Sequence, residues 1–220
     1  AEMVSLDLVD TLNISEGQGI EVQTNYPNQP WEFPKETLVP EDDNNLVADA
    51  LSLIGRKASV RINKKIPPGT GLGGGSSNAA AVLRWGKYED LKCAAEIGAD
   101  VPFCINGGRA LVSGIGENVE KMSYKKQEYT LLIPPFPCST KAVYEHWDQL
   151  GGPKGDHGND LEPAATSLYP ELNKWRDLLG NTTGQEPRLA GSGSTWYVEG
   201  AFPERGLHVV SSIPRQKFGD

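Results

Sequence analysis

Three stretches of the 220-residue chain hold residue types that could do chemistry together. The first, IPPGTGLGGGSSNAAAVL from Ile66 to Leu83, has five glycines within seven positions, followed by two serines and an alanine run. A helix N-terminus exposes N–H groups that lack intrahelical partners and carries about half a positive charge, so it attracts anions. Glycines ahead of it let the backbone curl around an oxygen-rich group with no side chain in the way. Ser76 and Ser77 add hydroxyl donors at the first turn, and Ala79–Ala81 carry the helix onward. The stretch reads as a phosphate cradle, because a patterned strand and an alanine helix bracket it where a linker would have neither. Gly69, Gly71 and Gly74 also satisfy the GxGxxG spacing, with Glu89 20 residues beyond Gly69. That match is weak, since a dinucleotide fold wants a continuously apolar strand before the loop and this one is amphipathic. The Walker pattern fails, because no lysine follows the last glycine.

The second stretch is GADVPFC, Gly98 to Cys104. Asp100, beside apolar groups and near a phosphate site, could take a proton from a substrate hydroxyl. The third is AGSGSTWYV, Ala190 to Val198. Gly191 and Gly193 permit a tight turn, and Ser192, Ser194 and Thr195 surround it with donors. Two glycine–serine loops suggest that two parts of the chain converge on one polyanionic ligand. On this reading Gly74→Val weakens nucleotide binding, because a side chain intrudes where backbone meets phosphate.

Elements must position these groups. MVSLDLVDTLNI (3–14) alternates as a strand, and IEVQTN (20–25) reads as its partner after the Gly17–Gly19 turn. The proline-rich stretch 25–43 reads as a loop. NNLVADALSLIG has helical spacing, capped by Asn44 or Asn45 and stopped by Gly55. ASVRINKKI places Val60, Ile62 and Ile66 on one face of a half-buried antiparallel strand. Helices are expected through Trp85, over 89–98 with Pro102 beyond, over 139–150 and over 168–180; strands over 107–122, 129–135 and 195–200. Without regular βαβ alternation the class is α+β. A boundary near 134–140 gives two lobes, 1–134 and 135–220.

Composition bounds the rest. Hydrophobic residues at 38% and charged residues at 23% suit a globular core. The net charge of −8 argues against a nucleic-acid or membrane surface driven by bulk charge. Cys93, Cys104 and Cys138 form no CxxC pair and read as buried thiols in a reducing cytosol. The dispersed His146, His157 and His208 lack metal-ligand spacing, so no protein metal site is expected. No apolar run approaches the ~18 residues of a membrane span, and the first residues show no signal-peptide layout. The reading is a cytoplasmic protein, monomer or homodimer.

Taken together, IPPGTGLGGGSSNAA, GADVPFC, STKAVY, NDLEP and AGSGST resemble segments of the GHMP kinase superfamily over roughly residues 3–200. Within it they are most similar to the kinases acting on a cytidine-diphosphate-linked methylerythritol in the non-mevalonate isoprenoid pathway. The resemblance implies a two-lobed α+β fold with the site in the cleft, and ATP-dependent phosphorylation of the 2-hydroxyl of that small molecule, with Mg²⁺. By position, Pro67, Pro68, Gly69, Thr70, Gly71, Leu72, Gly73, Gly74, Gly75, Ser76 and Ser77 would wrap the ATP phosphates. Asn45 would sit near adenine, and Asp100 would be the catalytic base. Tyr144 would stack on cytosine, with Thr140 beside it, and Gly191, Ser192, Gly193, Ser194 and Thr195 would close the phosphate end. Mevalonate-type, homoserine or sugar kinases of the same superfamily, and a nucleotide-binding module without catalysis, are the alternatives. The family usually opens with a strand bearing a catalytic lysine, followed by a Tyr-His pair contacting cytidine, and no residue here inherits those roles. The stretches 78–98 and 150–159 are also shorter than the family's. The expectation is therefore an N-terminal segment and internal loops beyond these residues, testable by intact mass. If the lysine is absent, ATP binding with severely weakened turnover is expected.

Overall fold

A computed structural model describes residues 1–27, 30–33, 39–42 and 44–215. Among these the chain runs β1 (Glu2–Val4), β2 (Thr11–Ser15), β3 (Gly19–Thr24), α1 (Leu46–Leu53), β4 (Ser59–Lys64), α2 (Gly74–Trp85), α3 (Leu91–Ile97) and α4 (Val101–Asn106). It continues through β5 (Arg109–Ser113), β6 (Asn118–Lys121), β7 (Glu128–Leu132), α5 (Thr140–Gln149), α6 (Glu162–Leu168), α7 (Leu172–Thr183), β8 (Arg188–Leu189), β9 (Trp196–Glu199) and β10 (His208–Ser211). The class is α+β, as the lack of regular alternation implies. Part of the proline-rich stretch 25–43 lies outside the described residues; its described part holds no helix or strand.

The strands form three sheets, ordered β2-β4-β3, β1-β5-β6 and β10-β7-β9-β8. Two expectations change here. The alternating stretch 3–14 is two strands in different sheets, because the chain between them leaves β1's sheet and hydrogen-bonds elsewhere. Asp7 donates its N–H to Ser211 O at 3.0 Å, and its carboxylate accepts from Ser211 N at 2.8 Å. Residues 11–15 and 19–24 are also not partners. Strand β4 lies between them, antiparallel to β2 and parallel to β3. Its Val60 and Ile62 are fully buried, which favours the central place. The link between β2 and β3 passes over the start of β4, where a side chain at Gly17 would meet Ser59 Cβ at 3.2 Å.

Helices begin where the sequence offers a cap. Asn45 accepts from Val47 N, Asp90 from Lys92 N and Cys93 N, and Ser139 from Ala142 N; such caps typically add about 1 kcal/mol each. Pro102 opens α4 rather than lying beyond a helix stop. A proline is tolerated in the first turn, whose N–H groups lack partners anyway. Pro163 opens α6 in the same way.

Two large apolar clusters hold the molecule. One joins α1, α2 and β4 through Val47, Ala50, Ile62, Ala80 and Leu83. The other gathers Leu132, Val143, Leu172, Leu179 and Trp196. Cys138 is buried, whereas Cys93 and Cys104 are only partly so, and all three are free thiols. Among the described residues no helix is long and apolar enough to cross a membrane.

Candidate active site

The glycine loop leaves β4 and enters α2 through Gly73, whose left-handed φ of 65° makes it the N-cap without a side-chain acceptor. Ser77 is the first residue of α2 whose N–H reaches back, to Gly73 O at 2.8 Å. The N–H groups of Gly74, Gly75 and Ser76 precede that ladder, which is the arrangement an anion needs. A side chain built on Gly73 would place its Cβ 3.8 Å from Asp100 Oδ2. The carboxylate therefore stands beside the helix N-terminus.

Asp100 occupies the N-cap position of α4, yet its side chain makes no capping bond there. Burial pushes its carboxyl above the ordinary aspartate range, which suits a group that must accept a proton. Asp100 and Gly73 face a cleft of about 1470 Å³, whose wall also includes Leu72, Ser77, Asn78, Tyr144 and Gly191. Tyr144 is 51% exposed. Burial, and then the nearby Asp100 charge, raise its phenol pKa. An accessible ring near the carboxylate can offer a face to a flat ligand.

The two glycine–serine loops meet, as their shared ligand would require, but largely by gripping each other. Thr195 donates its N–H to Thr70 O at 3.1 Å, and Cys138 donates to Gly69 O at 2.7 Å. At Gly71, φ is +74°, and a Cβ would collide with Ala190 O and lie 3.0 Å from Gly193 O. Gly71→Ala is thus expected to force the loops apart and lower stability by about 1–3 kcal/mol, read by chemical denaturation. An unchanged midpoint would contradict the contact.

Several expected ligand contacts point elsewhere. Ser192, Gly193, Ser194 and Thr195 are buried, so of that stretch Gly191 alone is exposed. Ser194 donates to Phe136 O at 2.7 Å, and Ser192 shares a 2.9 Å hydrogen bond with Thr140. Thr195 Oγ1 is buried without a hydrogen-bond partner among the described residues. The tight turn directs these hydroxyls inward because its outer edge braces the first loop. Thr70 likewise donates to Pro67 O at 2.7 Å. Asn45 is 7% exposed, and its Nδ2 donates to Pro40 O while its Oδ1 caps α1, so its side chain is turned inward and engaged within the fold. Gly71 and Gly75 are exposed at the loop's surface, and Pro68 and Ser76 are so in part. Gly74 faces inward: a Cβ there would lie 2.8 Å from both Lys64 Nζ and Ile66 Cγ2. Gly74→Val would therefore act through the core rather than by intruding on a phosphate.

Sequence reasoning passed over what lies beneath that glycine. Lys64 Nζ bonds Asp10 Oδ2 and donates to Asn78 Oδ1 at 3.1 Å. The Asp10 carboxylate also accepts from Lys65 N at 2.7 Å, Ile66 N at 2.9 Å and Asn78 Nδ2 at 2.9 Å. The Lys64 and Asp10 side chains are 2% and 1% exposed. Burial pulls the Lys64 pKa down, and Asp10 opposes the shift. The signal was in the alternation: Lys64 falls on the face of Val60, Ile62 and Ile66. Among the described residues no group of three or more His, Cys, Asp or Glu could hold a metal ion.

Residues 45–108, from the cap of α1 to the residue before β5, match the model of the GHMP kinases N terminal domain. This match, with the relatives that follow, makes the chain a small-molecule kinase of the GHMP class. The chain is 30% identical to the 4-diphosphocytidyl-2-C-methyl-D-erythritol kinase of Thermoanaerobacter pseudethanolicus, covering 89% of this chain and 76% of the relative. It is 34% identical to the enzyme of that name from Carboxydothermus hydrogenoformans, over 82% and 76%. The chain belongs to the 4-diphosphocytidyl-2-C-methyl-D-erythritol kinase family. A crystal structure of 4-(cytidine 5'-diphospho)-2C-methyl-D-erythritol kinase shares the fold with a TM-score of 0.67 at 22% identity, covering 96% of this chain and 88% of that one. A homoserine kinase from Cytophaga hutchinsonii gives 0.56 at 18%, over 97% and 89%. The fold alone therefore spans different acceptors.

Proposed function

We propose that this chain transfers the γ-phosphoryl group of ATP to the 2-hydroxyl of 4-(cytidine 5'-diphospho)-2-C-methyl-D-erythritol. The observation that carries the reading is the Asp100 carboxylate, partly buried and without a capping bond, beside the open N-terminus of α2. Phosphoryl transfer asks the protein chiefly to hold two anionic substrates in line and offset their charge. The amides of Gly74, Gly75 and Ser76 would receive phosphate oxygens, and Pro68 and Gly71–Gly73 would border them. Asp100 would orient the attacking hydroxyl and accept its proton. Tyr144 would take the cytosine face, with Thr140 and Gly191 nearby.

The donor set fits a nucleotide-borne metal better than a resident one. Mg²⁺ would arrive on the phosphates, with Asp100 the nearest carboxylate, and would supply charge neutralisation there. The proposed division is into lobes 1–134 and 135–220, the first apolar cluster lying within the first, although β7 pairs with β9 and β10 in the sheet of the second. A cytoplasmic setting, a small-molecule acceptor without nucleic acid or membrane, and a monomer or homodimer complete the proposal.

The test is ADP release with ATP and Mg²⁺ against a panel of acceptors: the cytidine compound, mevalonate, homoserine and galactose. Turnover with the cytidine compound alone is expected. Turnover with another acceptor, or ATP binding without ADP release, would replace this reading.

A further inference from the structure

The phosphate loop is fastened by a buried polar cluster that the catalytic reading leaves unused. One carboxylate, Asp10, receives the two backbone N–H groups that open the loop, from Lys65 and Ile66. The same carboxylate receives Asn78 Nδ2, from the second turn of the helix that closes it. Lys64 Nζ bridges the other side, bonding Asp10 and donating to Asn78 Oδ1. That ammonium lies directly under the first residue of α2, where the missing side chain of Gly74 leaves room for it. Both ends of the loop are thus referred to one rigid point on the strand face, while Asp10 and Asn78 also reach the cleft wall.

We propose that Asp10, working through Lys64 and Asn78, is the positioning element of the phosphate loop, fixing the offset between the end of β4 and the N-terminus of α2. This rests on reading the loop as an ATP phosphate cradle. Anion binding by backbone amides depends on their converging before the ligand arrives, since an unordered loop must be ordered at the ligand's cost. A buried ion pair is a weak source of stability but a directional one, because each partner has a fixed set of hydrogen bonds to satisfy. Asn78 is the informative member: its truncation severs α2 from the carboxylate while leaving the Asp10–Lys64 pair and both loop amides bonded.

The test compares the unmodified chain with Asn78→Ala, both confirmed as folded by circular dichroism. ATP, and separately CDP as a probe of the acceptor side, are titrated at equilibrium. About a tenfold loss of ATP affinity with CDP affinity held within about twofold is expected. A merely structural role would lower the folded fraction and leave this split absent. Amide hydrogen exchange without nucleotide supplies the second arm, with faster exchange expected across 65–77 and no change in β9. Unaltered exchange in that loop, or unaltered ATP affinity beside an unmodified chain that binds ATP, overturns the proposal. Failure of the unmodified chain to bind ATP overturns the phosphate reading instead, and the exchange arm still decides the clamp. Should Asn78→Ala fail to fold, Asn78→Ser is carried through the same measurements.

Discussion

Asp100→Asn is expected to lower kcat by about 10²–10⁴-fold while ATP affinity stays within about twofold. Asparagine keeps the volume and one acceptor but cannot take the proton of the attacking hydroxyl. Steady-state transfer assays paired with equilibrium ATP binding measure the two quantities separately. The pH dependence has a definite sign. Burial raises the carboxyl's pKa in the folded chain, so activity should fail on acidification at a higher pH than an exposed aspartate would give. For stability, above the ordinary aspartate range the folded state bears an ionised, partly buried carboxylate, a cost the unfolded chain escapes. The asparagine variant escapes it too. Its melting temperature at neutral pH should equal or exceed the parent's, with the difference vanishing once both states are protonated in acid. Preserved kcat would remove Asp100 from the role of base.

Lys64→Met should be the most damaging single change to the fold near the site. It leaves the Asp10 carboxylate buried at 1% exposure without its cation. Breaking a buried pair from one side costs about 3–5 kcal/mol. The three N–H donors still aimed at Asp10 place the expected loss near the lower end, about 3 kcal/mol. Adding Asp10→Asn should recover much of that. A carboxamide oxygen can still accept from Lys65 and Ile66, and Asn78 can turn its amide to accept from the new NH₂. Denaturant melts of the two variants decide the matter. A double variant no more stable than Lys64→Met would mean that the ion pair is not what Lys64 provides.

Local rules were legible in the sequence, and non-local ones were not. Asn45 announces a helix start because a cap bonds amides two or three residues away, a rule that the structure shows Asp90 and Ser139 also obey. The glycine run declared a helix N-terminus for the same reason, and Asp100 declared itself by its apolar neighbours. By contrast, alternation along 3–14 tells which side chains face inward but not which sheet they join. Strand β4 between β2 and β3 is a pairing over long sequence distances, which no short window contains. Ser194 and Thr195 look like ligand donors until the packing of one loop on the other turns them inside. Lys64 carried a readable sign, a charge in an apolar register. Its partner Asp10 lies 54 positions away.

The place of β4 bears on synthesis as well as on architecture. Emerging from the ribosome, β2 and β3 could close on each other at once, yet the finished sheet denies them that pairing. They must stay apart until β4 arrives, roughly 40 residues later, a wait of about 2–8 s at ~5–20 residues per second. During that interval two half-apolar ribbons have free edges, the kind of surface that invites aggregation.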